Sequence, residues 1–432
     1  MDREEISPSE QALNEFVGRV VLPHWAPVRL SHEAGRLTDV AAAVAEQFRR
    51  AGIGEQIQPG TQVALTAGSR GIGQIDEVLA AVVAEIRARG GEPFIVPAMG
   101  SHGGATPAGQ VEVLAHYGIT EERMACPIRS SMEVVELGQL ASGERLYTDR
   151  IAFQEADLII PIARVKVHTD FHGPYESGLY KMLAIGLGKQ HGADALHASG
   201  FESFPHLIPA AGRVVLERLA VPFGIALVEN GYGKLALLEA IPAAEIDTRE
   251  RELLEESRRL MALLPLERVD VLVVDQIGKD ISGAGMDPNV VGRYYNEKLP
   301  TGPAVQRIVV LDLTEATEGN ATGIGMAEFC TARVAGKIDY AKTYMNQLTA
   351  KTPEAGRLPI VAPNDCVAIQ MAILSLRRVD PRAVRLLRIK DTKDLTSVWA
   401  SEMALPELLA TGRAEQLGPL EAPAFDADGN LR

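Results

Sequence analysis

Between positions 168 and 197 the sequence HTDFHGPYESGLYKMLAIGLGKQHGADALH gathers four of the chain's nine histidines, His168, His172, His191 and His197, with Lys181 and Lys189 among them. An imidazole titrates near neutral pH and serves as acid, base or metal ligand. An apolar run such as SGLYKMLAIGLG disfavours a lysine's charged form and makes its amine a nucleophile. Three more cations stand in glycine-rich loops: Arg70 in TAGSRGIG, His102 in MGSHGGAT and Lys279 in GKDISGAGMDPN. Glycine lets backbone approach a ligand closely, and an arginine there can grip a carboxylate with two parallel hydrogen bonds. Each residue also has a plain structural use, as a turn arginine, a satisfied core histidine or a lysine lying along a helix. It is their grouping that points to chemistry.

The common metal and nucleotide signatures are missing. No HExxH occurs, and His191 and His197 are six residues apart rather than the four of a zinc-binding helix. Neither GSRGIG nor MGSHGGAT is a GxGxxG fingerprint, which weighs against a Rossmann-type nicotinamide site. Cys126, Cys330 and Cys366 form no CxxC pair. So sparse and odd a set reads as reduced, buried thiols of a cytoplasmic protein.

The elements that must position these residues alternate. Residues 37–51 and 75–89 show helical spacing of apolar side chains, as do 109–117. The runs VALT, PFIVPA and DLIIPIARVKVH read as buried strands, and each leads into one of the unusual loops. Alternating strands and helices predict an α/β fold with a mostly parallel sheet. In such sheets ligands bind beyond the carboxyl ends of the strands, so Arg70, His102 and His168 are expected at one edge. DVLVVDQIG, RIVVLDL and LPIVAP predict a second α/β unit, reached through a charged helix over 247–264 acting as link or hinge. The expected division is 1–265, catalytic and cofactor-binding, and 266–432, closing an active-site cleft. A helix and a solvated tail are expected at the end of the chain.

The totals exclude some partners. The 432 residues carry a formal net charge of −14, against nucleic acid or an anionic membrane as main partner. The content of 46% hydrophobic and 23% charged residues is that of a globular protein with a sizeable core. No apolar run reaches the ~18–20 residues of a membrane span, and the acidic start MDREEISPSE is no secretory signal.

In order and spacing, the SRG loop with Arg70, the GSH loop with His102, VKVH ending at His168, SGLYK with Lys181, and His197 sixteen residues further on resemble the nickel-dependent lactate racemase family. The resemblance covers most of the first unit and extends loosely over the second. It implies a racemase or epimerase that inverts C2 of a 2-hydroxy acid by reversible hydride transfer to a nickel-pincer nucleotide, a pyridinium mononucleotide holding nickel through two sulfur arms. It further implies that Lys181 tethers the cofactor, with Ser177 and Gly178 beside it, and that His197 completes the nickel coordination. His102 and His168 match the two acid/base histidines, and Arg70 matches the anchor of the substrate carboxylate. Lys279 is the nearest match to a second substrate-binding cation. Proteins that make the cofactor would be partners. Two departures stand out: Ala67 occupies a place where the family usually has aspartate, and the stretch before Lys181 is longer, which leaves His172 as an alternative to His168. A nicotinamide-dependent dehydrogenase and a non-enzymatic binder of small carboxylates are the competing readings.

Overall fold

The computed structural model describes residues 8–50, 52–68, 72–295 and 302–432. Arg70 therefore lies outside the described residues. The chain forms two compact units, residues 33–261 and residues 1–32 with 262–432. Residues 8–32, expected with the catalytic unit, thus fold with the other one. The cause is strand β1 (Trp25–Leu30), whose hydrogen-bonding partners are strands from the end of the chain.

Within residues 33–261, β2 (Gln62–Ala67) pairs in parallel with both β3 (Glu92–Pro97) and β6 (Leu158–Ile160). These strands read as continuous apolar runs because helices cover the sheet. Helices Val40–Phe48 and Ile75–Ala88 turn Val44, Phe48, Val78, Leu79, Val82 and Ile86 onto Val63, Leu65 and Ile95. Between β3 and β6 lies an antiparallel hairpin, β4 (Val134–Gln139) and β5 (Arg145–Asp149). The DLIIPIAR run is interrupted at Pro161, which has no N–H to donate, and continues as β7 (Ile162–Arg164). β7 pairs in parallel with β8 (Phe223–Glu229), and β8 runs antiparallel to β9 (Leu235–Pro242). β2, β3 and β6 run the same way, but only the first two lead into the expected loops; the His168 segment follows β7, a strand of the β7–β8–β9 sheet.

The other unit holds an eight-stranded sheet. β10 (Arg268–Ile277), β11 (Ala304–Leu313), β12 (Phe329–Thr331), β13 (Ile360–Ala362) and β14 (Leu386–Ile389) are parallel, while β15 (Ser397–Ser401), β1 and β16 (Ala414–Gln416) are antiparallel. The fold is therefore α/β, with two units and mostly parallel sheets. The end of the chain is more ordered than a solvated tail. Glu421 bridges to Trp25, Phe425 to Leu431, and the Leu431 N–H donates to Asp365 at 3.0 Å.

The charged helix also differs from expectation. It spans Ile246–Leu260 inside the 33–261 unit and buries Ile246, Leu253, Leu254 and Leu260 with Glu250 and Ser257. It is a wall of that unit, and its polar side chains reach the residues described next. No helix among the described residues is long and apolar enough to cross a membrane.

Candidate functional site

Lys181 ends a short helix (Leu179–Lys181) that begins where Lys166 and Ser177 form an antiparallel bridge through their backbones. The buried Glu250 caps this helix, its Oε2 accepting the N–H groups of Leu179 at 2.8 Å and Tyr180 at 3.2 Å. Gly178 is required there, because a Cβ would collide with the Glu250 carboxylate. Beyond Lys181 the helix widens into a π-turn over Met182–Gly186, closed by Leu187 N–H donating to Met182 O at 3.0 Å. Such turns recur at functional sites because the inserted residue re-aims its neighbours. Here it brings Gly186 against the Ala98 carbonyl, where a side chain would not fit. The Gly100 N–H then donates to Gly186 O at 3.2 Å, tying the His102 loop to the Lys181 segment.

The Lys181 amine hydrogen-bonds with Nε2 of His168 and lies 5.6 Å from the centre of the Phe171 ring. His168 is buried, its ring 4.4 Å from Phe171 and 6.2 Å from Phe201. His197, at the end of helix Lys189–His197, packs edge-on to Phe201 at 5.7 Å and Phe204 at 5.1 Å. Lys181, His168 and His197 thus share one aromatic wall of Phe171, Phe201 and Phe204. Burial pushes the His197 ring below the usual histidine range, and the Lys181 charge adds to this against the pull of the Ala193 carbonyl. Nδ1 of His197 lies 2.6 Å from that carbonyl, which can only accept, so the ring's proton is on Nδ1 and its lone pair on Nε2. A neutral imidazole whose second nitrogen is fixed by a carbonyl is the usual form of a metal-ligating histidine.

His172 lies 3.2 Å through Nδ1 from Oε1 of Glu176, whose side chain is wholly buried. Arg258, from helix Ile246–Leu260, donates to the same oxygen at 2.5 Å. His102 is exposed on its loop; its backbone is held by Gln110, whose Nε2 donates to the carbonyls of Gly100 at 3.0 Å and His102 at 3.3 Å. The buried Lys189 ammonium in turn donates to Gln110 Oε1 at 3.3 Å and Pro97 O at 2.5 Å, and lies 2.8 Å from Asp149. Burial pulls the Lys189 ammonium below its ordinary value, with Asp149 opposing. Lys189 is therefore a structural cation that couples β3, the His102 loop and the His197 helix. Gly73 N–H donates to Glu229 at 2.6 Å, and Arg164 pairs with the same carboxylate.

Lys279 belongs to the other unit, where its ammonium donates to Gly283 O at 2.7 Å within its own loop. Arg293, in the same unit, is engaged by Glu328 and by the carbonyls of Met326, Val305 and Gln306. His191 sits edge-on to Tyr147 at 4.4 Å, away from the three phenylalanines in its ring contacts. Among the described residues no group of three or more His, Cys, Asp and Glu side chains could hold a metal ion alone. Burial pushes Cys126 and Cys330 up to about 11, so both are inert core thiols.

The sequence did not single out Glu176, Glu250, Arg258, Gln110, Phe201 or Phe204. The signals were faint: FESF places two aromatics three residues apart, and the charged helix hides Glu250 and Arg258 among surface charges.

No family model and no curated protein matches the chain. Among solved structures, a structural-genomics protein from Thermotoga maritima aligns at 14% identity and a TM-score of 0.47, covering 65% of this chain and 71% of its own. The lactate racemase apoprotein from Thermoanaerobacterium thermosaccharolyticum aligns at 14% identity and a TM-score of 0.46, covering 78% of this chain and 88% of its own. Both are too distant to pass any residue's role to this chain.

Proposed function

We propose that the protein is a racemase or epimerase acting at C2 of a small 2-hydroxy acid, with a nickel-pincer nucleotide tethered to Lys181 and capped by His197. The observation that carries the reading is the meeting of a lysine amine, the neutral-imidazole form of His197 and a second histidine on one aromatic wall. These donors suit the group. Lys181 offers an amine for the covalent link, and His197 offers an imidazole lone pair for the metal. One protein ligand is enough for a centre whose other donors arrive with the cofactor.

The C2–H bond of a hydroxy acid is weakly acidic, and side chains offer no hydride acceptor; when bound, the nucleotide supplies one. The chain's own residues do the rest. Arg70 holds the carboxylate in a bidentate grip. A histidine takes the hydroxyl proton, and another handles it on the opposite face. His102 is one of this pair, and His168 or His172 is the other. Such proton transfer contributes roughly 10²–10⁴-fold. The phenylalanine wall keeps water from the reacting carbon. The reading implies partner proteins that build the cofactor and a cytoplasmic setting where the three thiols stay reduced.

Co-expression with a cofactor-making system, followed by intact-protein mass and nickel analysis, tests it. The expected outcome is a covalent mass increase that maps to Lys181, is absent in Lys181→Ala, and accompanies racemisation of one member of a 2-hydroxy acid panel. An unmodified, nickel-free protein under those conditions would overturn it.

A further inference from the structure

We infer that Gln110 is the positioning residue of the His102 loop: its side-chain amide, oriented by Lys189, holds the carbonyls on either side of Ser101 and so fixes where His102 is presented. That His102 works as acid or base rests on the hydroxy-acid reading above; the hold on its loop does not. Gln110 is fully buried near the start of helix Pro107–His116, while Ser101 and His102 are exposed. Its Nε2 donates to Gly100 O at 3.0 Å and His102 O at 3.3 Å, and its Oε1 accepts from the Lys189 ammonium at 3.3 Å. A carbonyl only accepts and an ammonium only donates. Turned over, the amide would set its oxygen against two carbonyls and its NH2 against a cation, so one orientation alone suits all three partners. That orientation is set from outside the loop. Asp149, 2.8 Å away, favours the charged form of Lys189, and Pro97 O at the end of β3 accepts from the same ammonium at 2.5 Å.

The loop's own backbone bonds are long. His102 N–H donates to Met99 O at 3.2 Å, Ala105 N–H to His102 O at 3.3 Å and Thr106 N–H to Gly103 O at 3.3 Å. Gly100 and Gly103 have φ of +58° and +66°, and glycine loses more freedom than any other residue when it is fixed. A Cβ on Gly103 would strike the backbone of Gly109 and Gln110, so the loop folds back onto the turn that carries Gln110. One hydrogen bond would leave the Gly100–His102 segment free to rotate about it; the two from Gln110 fix its direction. A reacting group misplaced by about 1 Å can cost roughly 10²-fold in rate. Satisfying Lys189 needs only the oxygen of Gln110. Its two N–H groups are spent on the loop, and that is what separates positioning from a plain core role.

Gln110→Glu divides the two tasks, since it keeps an oxygen for Lys189 and loses both N–H groups. Hydrogen exchange of the cofactor-free protein reads the loop directly. The backbone amides of Gly100, Ala105 and Thr106 should exchange at least about tenfold faster in Gln110→Glu than in wild type, while those of β2 and β3 keep their protection. Gln110→Met, which removes the oxygen as well, should loosen the same loop and also weaken protection of the sheet. In cofactor-loaded protein Gln110→Glu should lower kcat by roughly 10–10²-fold with KM within about threefold, because the carboxylate anchor is untouched. In the wild type the side-chain NH2 of Gln110 should exchange far more slowly than that of an exposed glutamine, a measurement that needs no variant to fold. A Gln110 NH2 that exchanges as fast as an exposed one, or a Gln110→Glu protein with wild-type loop exchange or wild-type kcat, would overturn the inference. If Lys181 stays unmodified and wild-type protein shows no turnover, it is the hydroxy-acid reading that has failed. Loop and side-chain exchange then decide the hold of Gln110 by themselves.

Discussion

At the scale of single residues, Glu250 is a carboxyl buried at a cost. Burial pushes its carboxyl up to about 7, although two backbone N–H groups favour the charged form. A folded-state value above the ordinary 4.5 means that the folded protein holds the extra proton between those pH values. The stabilisation is complete below about 4.5 and is lost as pH rises through 7; it amounts to roughly 3 kcal/mol. Glu250→Gln has no proton to lose and keeps an oxygen for the two N–H groups. Relative to wild type it should gain roughly 3 kcal/mol in urea denaturation between pH 4.5 and 8. A difference that stays flat with pH would show that Glu250 does not titrate in this range. The contrast between residues the sequence reveals and those it hides follows from contact range. Lys181, His168, His172 and His197 stand within thirty positions, so composition alone groups them. Glu250 reaches Leu179 across 71 positions and Arg258 reaches Glu176 across 82. No local pattern records such a pairing, and both side chains look like surface charges until the helix is docked.

Elements carry the next layer of control. Lys189 has φ +54°, a conformation uncommon outside glycine, and its ammonium is fully buried beside the fully buried Asp149. Asp149 Oδ2 lies 2.8 Å from it and opposes the cost of burying the ammonium. Breaking a buried pair from one side leaves an uncompensated charge, so Lys189→Met should lose about 3–5 kcal/mol. Adding Asp149→Asn, which can still cap the following helix at Ala152, should recover much of that loss. A double-mutant cycle in denaturant measures this, and simple additivity would refute the coupling. The strand–loop units were legible at this scale because a parallel strand under helices is apolar throughout and glycines marked the loops. The β4–β5 hairpin was not, since β4 buries only Leu137 and offers no clean alternation. Nor was the π-turn after Lys181, because one inserted helical residue leaves no trace in composition.

At the scale of the whole molecule, strand β1 decides how the chain is divided. It lies between β15 and β16 and pairs with both. It also buries Trp25 against Val271, Val273, Val309 and Phe329, with Val28 and Leu30 buried as well. Nothing in WAPVRL names its partners almost 400 positions away, so a reading along the chain assigns it to its sequence neighbours. The consequence can be tested by cutting the chain. Residues 33–261 are one continuous segment with their own core and should unfold cooperatively as an isolated fragment. Residues 262–432 alone lack β1, which leaves β15 an open edge and β16 without a partner. Unpaired edges beside a hole where Trp25 belongs favour aggregation over folding. That fragment should be insoluble or lack a cooperative transition. A permuted fragment that starts at 262, joins 432 to 1 and ends at 32 should regain both solubility and cooperativity. A cooperatively folded 262–432 fragment would mean that β1 is an addition to a finished sheet and not one of its members.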